Sequence, residues 1–242
     1  MKLSIIIPIY NEIHTVGAVL QSVNEALPQV EKEIVVVDDG STDGTREWLA
    51  AAQARAWHGL FKEAALTTVR LVLQPKNQGK GAALRAGFYQ ASGDVMVIQD
   101  ADLEYDPRDW QEMWRLIVEG RADVVYGSRF YGKPHRVLYF HHLLGNKAIS
   151  ALLNIVCNTT LSDVEVCYKM FRKEVWKDMI LTCDGFGFEV EFTVKMARSP
   201  RRWRLYEVGI AYYGRTYEEG KKISWKDGIR ALWLIIWFAV RS

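Results

Sequence analysis

The sequence predicts an α/β protein with a mostly parallel central sheet flanked by helices. Three observations carry that prediction. Apolar runs of strand length alternate with segments of helical spacing through the first half of the chain, the signature of strand–helix–strand units with right-handed crossovers. The run Val95-Met96-Val97-Ile98 is apolar throughout and rich in β-branched residues, as a strand buried on both faces reads. Several runs end in acidic loops, such as Val37-Asp38-Asp39-Gly40-Ser41 and Gln99-Asp100-Ala101-Asp102. These loops fall on the carboxyl edge of the sheet, where open α/β folds bind ligands.

Each element has its own justification. Residues 3–9 resemble the apolar part of a signal peptide, but the stretch is short and Pro8 and Asn11-Glu12 end it, so it reads as the first strand. Residues 13–27 place Val16, Leu20, Val23 and Leu27 at helical spacing. Residues 33–37 form a second strand. Asp43 reads as the cap of a helix reaching about Trp57. A strand at 69–73, a helix at 81–91 and a strand at 95–99 follow. Asp106-Pro107 supplies a cap and a first-turn proline for a helix with Trp110, Met113, Trp114 and Ile117 on one face. Residues 122–126 are another strand.

Past Gly127-Ser128-Arg129 the character changes. Residues 131–142 are aromatic and basic, broken by Gly132 and Pro134, and read as a loop or short interfacial helix. Helices are expected at 146–156 and 188–197, strands at 165–171 and 204–213, a charged loop at 214–222 and a last helix at 225–240. The organisation is one catalytic domain over 1–222, divided into halves 1–126 and 127–222, with an amphipathic helix at 223–242.

Composition excludes some classes. The 242 residues are 49% hydrophobic and 25% charged, ordinary for a globular domain. A net charge of +2 does not call for a nucleic-acid partner. Cys157, Cys167 and Cys183 lack metal-ligand spacing and read as reduced, cytosolic thiols. No stretch approaches the roughly 18 uninterrupted apolar residues of a membrane span.

The chemistry centres on Asp100 and Asp102. Residues i and i+2 of an extended segment share a side, so both carboxylates can converge at the strand end. Such a pair repels unless a cation lies between, and Mg²⁺ bound with a polyphosphate meets that need. A solvated strand-end loop is the bland alternative. Asp39 could accept hydrogen bonds from a base or ribose, with Tyr10 flanking the base; ordinary turn chemistry gives the same residues. Asn77-Gln78-Gly79-Lys80-Gly81 opens a helix, where glycines and the helix dipole suit an anion. It matches neither a Walker A loop nor a GxGxxG fingerprint. Lys80 and Arg85 are phosphate candidates or solvated helix charges.

Pro8-Ile9-Tyr10-Asn11-Glu12, Val37-Asp38-Asp39-Gly40-Ser41, Asp100-Ala101-Asp102 and Gly127-Ser128-Arg129 together resemble family 2 glycosyltransferases of the GT-A fold, nearest the dolichyl- or polyprenyl-phosphate sugar synthases. That resemblance implies that Pro8, Tyr10, Glu12, Val37, Asp39, Lys80 and Ala101 hold a nucleotide sugar of the GDP-mannose or UDP-glucose type. It implies that Asp100 and Asp102, with Glu104 beside them, hold Mg²⁺ or Mn²⁺ and the donor diphosphate. Arg129 would face both substrates' phosphates, with Arg136 on the acceptor's; His141 and His142 are weaker candidates. The segment from Arg215 to Lys221 resembles the loop that closes over the donor, so Arg129, Arg215 and Lys221 form an expected anion clamp.

The implied reaction is inverting transfer to a polyprenyl phosphate on the cytosolic face of a membrane. On the last helix Ile229, Leu232, Trp233, Ile236 and Val240 share a face, while Lys222, Lys226 and Arg230 recur on another. That fits an interfacial anchor, or equally a helix packed on the core or in a homo-oligomer. Two other readings stay open. A hydroxyl acceptor would need a base from Asp184, Glu189 or Glu191. A non-catalytic nucleotide-sugar-binding subunit would need none.

Overall fold

The computed structural model describes residues 1–61, 66–137, 139–219 and 225–241, without the side chains of 225–227 and 241. Its centre is a seven-stranded sheet of β1 (Leu3–Ile9), β2 (Lys32–Asp38), β3 (Thr67–Leu73), β4 (Val95–Ile98), β5 (Val124–Ser128), β6 (Lys169–Arg172) and β7 (Leu205–Gly209), in the order β3-β2-β1-β4-β6-β5-β7. All pairings are parallel except those of β6, which runs antiparallel to β4 and β5. Every residue of β2 and β4 is buried, which is why these strands lack a polar face.

The helices are α1 (Val16–Glu25), α2 (Thr45–Ala54), α3 (Lys80–Gln90), α4 (Trp110–Val118), α5 (Phe140–Cys157), α6 (Lys173–Lys177), α7 (Phe188–Ala197) and α8 (Trp225–Arg241). The sheet grows from β1 to β2 and β3 on one side, then returns to place β4 on the other side of β1. The carboxyl ends of β1 and β4 therefore flank a topological switch point, the crevice where such sheets take ligands.

Several boundaries differ from the sequence reading. The helix expected from 13 begins at Val16, because 12–15 form a turn with Thr15 N–H donating to Glu12 O. The helix expected from Asp43 begins at Thr45 with Gly44 as its cap residue, and Asp43, one residue earlier, accepts from the Thr45 amide at 3.0 Å. The strand expected at 165–171 is only Lys169–Arg172. Upstream of it, polar groups claim the chain: the Ser162 and Asp163 amides donate to the Glu207 carboxylate, so this stretch leaves the ladder. The helix expected from 146 begins six residues earlier, at Phe140. The expected boundary between halves at 126 falls inside β5.

The last helix packs on the body of the protein and leaves a second apolar side open. Ala231, Leu234, Ile235 and Phe238 of α8 are buried, where it packs on α5 and α7. Ile229, Trp233, Ile236 and Val240 stay exposed. The helix is apolar on both sides, one docked on protein and one facing out. No described helix is long and apolar enough to cross a membrane. The expected basic residues Lys222 and Lys226 lie outside the described side chains.

Candidate functional site

The loops after β1, β2 and β4 are laced together by their own side chains. Asn11 N–H donates to Ser41 Oγ at 3.0 Å, Asn11 Oδ1 accepts from the Thr42 amide at 2.8 Å, and Glu12 N–H donates to Thr45 Oγ1 at 3.0 Å. Thr15 Oγ1 donates to the Ala101 carbonyl at 2.6 Å. The polar residues that read as turn formers thus hold three strand ends as one rigid rim. Gly40 is obligatory here: its φ is +74°, and a Cβ would lie 2.5 Å from the Asn77 backbone.

Asp39 is buried and lines the cavity, yet its carboxylate is already engaged, accepting from the Gln78 and Gly79 amides at 2.8 Å each. Burial holds its pKa above the ordinary carboxylate value. The glycine-rich start of α3 serves packing as well. A Cβ on Gly79 would meet the Asp184 carbonyl at 2.4 Å, and the Ala82 amide donates to that same carbonyl at 3.0 Å. Protein backbone, rather than an open anion cradle, occupies that side of the helix start. Arg85 belongs to the same contact, donating to Cys183 O at 2.6 Å and pairing with Asp184.

At the switch point, acids and bases alternate. Lys80 Nζ lies 2.8 Å from Asp100 and 3.4 Å from Glu189. Arg215 reaches Asp102 at 3.1 Å, Glu104 at 3.2 Å and Glu12 at 3.7 Å. Asp100 and Asp102 line the same cavity and the charge of one bears on the other, though not through strand pleating: β4 stops at Ile98 and residues 101–105 bend. Leu103 takes a φ of +62°, and the Asp102 carboxylate accepts from the Glu104 amide at 3.2 Å. Burial, together with Asp100 and Glu104, pushes the Asp102 carboxyl up to about 7 against the pull of Arg215. Such crowding is what a divalent cation relieves. Glu104 itself turns to Arg215 and to the Tyr212 hydroxyl, at 2.8 Å. Among the described residues, no group of three or more His, Cys, Asp and Glu side chains has metal-binding spacing, so the fit rests on the aspartate pair and a polyphosphate.

Deeper in, Arg129 makes a bidentate pair with Asp163 at 2.7 and 2.6 Å, adds a backbone bond to it, and lies over the Tyr212 ring at 5.1 Å. Asp163 is fully buried. Lys169 is also fully buried, donating to Glu189 and to the Val164 and Val166 carbonyls. Beside these pairs stands Glu165. Burial, reinforced by Glu189, pushes its carboxyl up to about 7 despite Lys169 and Arg129.

The acids and bases at the switch point, with Arg129, Glu165 and Glu189, line one cavity of about 1270 Å³. Pro8, Tyr10, Glu12, Asp39, Lys80, Asp100, Ala101, Asp102, Glu104, Arg129, Arg136 and Arg215 all reach it. Val37 does not; its side chain is buried against Ala83. Arg136 pairs with Glu219 at 2.6 Å and donates to Gly214 O at 3.2 Å. His142 Nε2 and the Tyr217 hydroxyl lie 2.7 Å apart. The 214–219 loop is thereby fastened to the segment before and within α5. His141 lines the same wall. Lys221 lies outside the described residues. The same cavity is lined by apolar side chains of the two late helices, among them Phe140 and Leu143 of α5 and Ile229 and Leu232 of α8.

Of the three base candidates, Asp184 pairs with Arg85, Glu191 accepts from the Thr182 and Cys183 amides and from Lys195, and Glu189 sits between Lys80 and Lys169. The sequence reading missed Asp163, Glu165 and Tyr212. The signal available for the first two was a pair of acids interrupting the apolar stretch 161–171.

The description "Glycosyl transferase family 2" belongs to the family model that matches residues 4–180. A dolichol-phosphate mannosyltransferase of Pyrococcus furiosus is 30% identical over 228 residues, 92% of this chain and 61% of that protein. An undecaprenyl-phosphate mannosyltransferase of Micrococcus luteus is 31% identical over 229 residues, 91% of this chain and 87% of that protein. The chain thus spans less than two thirds of the archaeal relative. In fold it is similar to glucosyl-3-phosphoglycerate synthase of Mycobacterium tuberculosis, with a TM-score of 0.70 at 18% identity over 99% of this chain and 80% of that one. The same synthase with Mn²⁺, uridine diphosphate and phosphoglyceric acid gives 0.70 at 18%, over 98% and 78%.

Proposed function

The chain belongs to glycosyl transferase family 2 and is a glycosyltransferase; from that premise we propose that it moves a hexose from a nucleotide sugar to a polyprenyl phosphate, with inversion. One observation carries the acceptor class. The cavity that holds Asp100, Asp102, Arg129 and Arg215 continues to the apolar side chains of α5 and α8. A polyprenyl phosphate has the matching halves, an anionic head and an apolar tail. The relatives named for dolichol- and undecaprenyl-phosphate support the same reading.

The nucleoside would lie along Tyr10 and Asp39, and the diphosphate at Asp100 and Asp102 with Lys80 nearby. Those aspartates would hold Mg²⁺ or Mn²⁺, which when bound supplies positive charge against the diphosphate. A phosphomonoester is largely ionised near neutral pH, its second pKa being about 6. Its oxygen attacks the anomeric carbon as the bond to the donor diphosphate breaks, and the nucleoside diphosphate leaves with the electron pair. No strong base is required. Arg129 and Arg215, which both line the cavity, would reduce repulsion between the two anions, with Lys221 completing the set and Arg136 on the acceptor side. Arg215 is held by three carboxylates, so reaching a phosphate requires that it exchange partners.

The exposed face of α8, with Phe140 and Leu144 of α5 also exposed, would rest against a membrane and bring the cavity mouth to the lipid. The hydroxyl-acceptor reading is weaker, because each expected base is tied to a cation or to backbone amides. The test is nucleotide release over a panel of nucleotide sugars, with and without a short polyprenyl phosphate. Release that depends on the lipid phosphate is expected. Equal release with a sugar alcohol in its place would move the assignment to a hydroxyl acceptor.

A further inference from the structure

Resting on the donor placement above, we propose that Glu165 is a sugar-positioning residue, its carboxylate accepting hydrogen bonds from hydroxyl groups of the transferred hexose. The argument starts from an unmet need. One carboxylate oxygen of Glu165 is cut off from solvent and has no hydrogen-bond partner among the described residues. Buried polar atoms are rarely left so. The cations nearby are committed: Arg129 is paired bidentately with Asp163, and Lys169 donates to Glu189 and to two carbonyls. Glu165 nevertheless lines the cavity. Its two oxygens exchange by rotation about the last side-chain bond, a soft torsion.

Chemistry then selects the ligand. An ionised phosphate offers acceptors and no donors, and its charge opposes a carboxylate. A polyprenyl tail offers neither donor nor acceptor. A hexose offers several hydroxyl donors. Position agrees. The nucleoside end of the cavity is at Tyr10 and Asp39, and the acid cluster lies at Asp100 and Asp102. Glu165 stands near Glu189 and Arg129, whose charges bear on it directly, and Lys80 links Glu189, at 3.4 Å, to Asp100, at 2.8 Å. Beyond the diphosphate from the nucleoside is where the sugar must lie. The raised pKa agrees with this setting: burial, reinforced by the Glu189 charge, makes the carboxyl hold its proton longer despite Lys169 and Arg129.

Glu165→Gln preserves shape and Glu165→Ala removes the group. Titration calorimetry with Mn²⁺ present would compare UDP with UDP-glucose and GDP with GDP-mannose. For whichever nucleotide binds, Glu165→Ala should weaken the nucleotide sugar by about 10- to 100-fold, the range for losing a hydrogen bond to a charged group, and leave the nucleoside diphosphate unchanged. Donors lacking one hydroxyl sharpen the assignment. The deoxy sugar that binds more weakly to the unaltered chain should bind Glu165→Ala no more weakly than its parent sugar does, because the partner is already gone. Equal losses for diphosphate and nucleotide sugar, or none for either, would overturn the role of Glu165 while leaving the proposed function intact. Failure of the unaltered chain to bind any nucleotide sugar would overturn both.

Discussion

Arg129 and Arg215 line the same cavity from two regions of different build. Arg129 follows β5 and is paired with one carboxylate, that of the fully buried Asp163, through a bidentate pair. Arg215 lies on the late loop, about one-fifth exposed, and is shared among Glu12, Asp102 and Glu104. The first arrangement is part of the fold, since removing one member strands a buried charge. The second is a set of longer contacts at the cavity, which a competing cation or phosphate can replace one at a time. Arginine in both places reads identically in a sequence; burial and the number of partners separate a framework residue from a mobile one.

Exchange at Arg215 is broken most severely at its acid partner. Asp102→Asn should lower turnover by about 100- to 1000-fold, the cost of losing a main electrostatic element, and the loss should persist at saturating Mg²⁺ or Mn²⁺. Near-normal turnover in excess chelator would remove the metal from the reading. Arg215→Ala should lower turnover by roughly 100-fold with little change in thermal unfolding. The contrast is Arg129→Ala, expected to lose turnover and also about 3–5 kcal/mol of stability, because Asp163 is left buried and unpaired. Equal melting curves for the two alanine variants would erase the distinction drawn here.

Glu165 sharpens the same comparison by pH. Its carboxyl holds a proton to about 7 in the folded chain but only to about 4.5 when unfolded. Between those values the folded state binds more protons, so this group's contribution to stability is lost as pH rises through 7. Glu165→Gln lacks that slope, and its melting temperature should gain on the unaltered chain between pH 5 and pH 8. A constant difference across that range would mean that the carboxyl is ionised throughout. The smallest expected effect on chemistry comes from α8. Trp233 and Trp237, stacked at 5.0 Å, changed together to Ser should weaken flotation with liposomes and spare turnover on a short soluble acceptor. Unchanged flotation would return the exposed face to protein contact.

Much of the framework was legible before any coordinates. Hydrophobic period fixed the order of strands and helices, because a strand buried on both faces and a helix buried on one leave different spacings. The loops at Tyr10, Asp39 and Asp100 could be assigned to one edge, because parallel strands share a direction. Two features were not legible. Period-2 reasoning placed Asp100 and Asp102 on one side of a strand, and both line the cavity, but on a bend that includes the positive φ of Leu103. The glycines at 79 and 81 read as an anion cradle and instead admit the backbone at 183–184, a contact about a hundred residues away.

What the sequence determined by itself was the fold class, the acidic edge and the apolar period of α8, since each depends on residues close along the chain. Only the tertiary structure decided which charges are spoken for. Asp163 with Arg129, Glu189 with Lys80 and Lys169, and one Glu165 oxygen left without a hydrogen bond among the described residues are outcomes of competition among groups drawn together from the end of β5, from β6, α3 and α7. Charge pairing in a buried site depends on separations of a few ångströms and on what excludes water, and neither is encoded in spacing along the chain. Both sides of α8 carry apolar residues in the sequence; only packing against α5 and α7 determined which side was left to face outward.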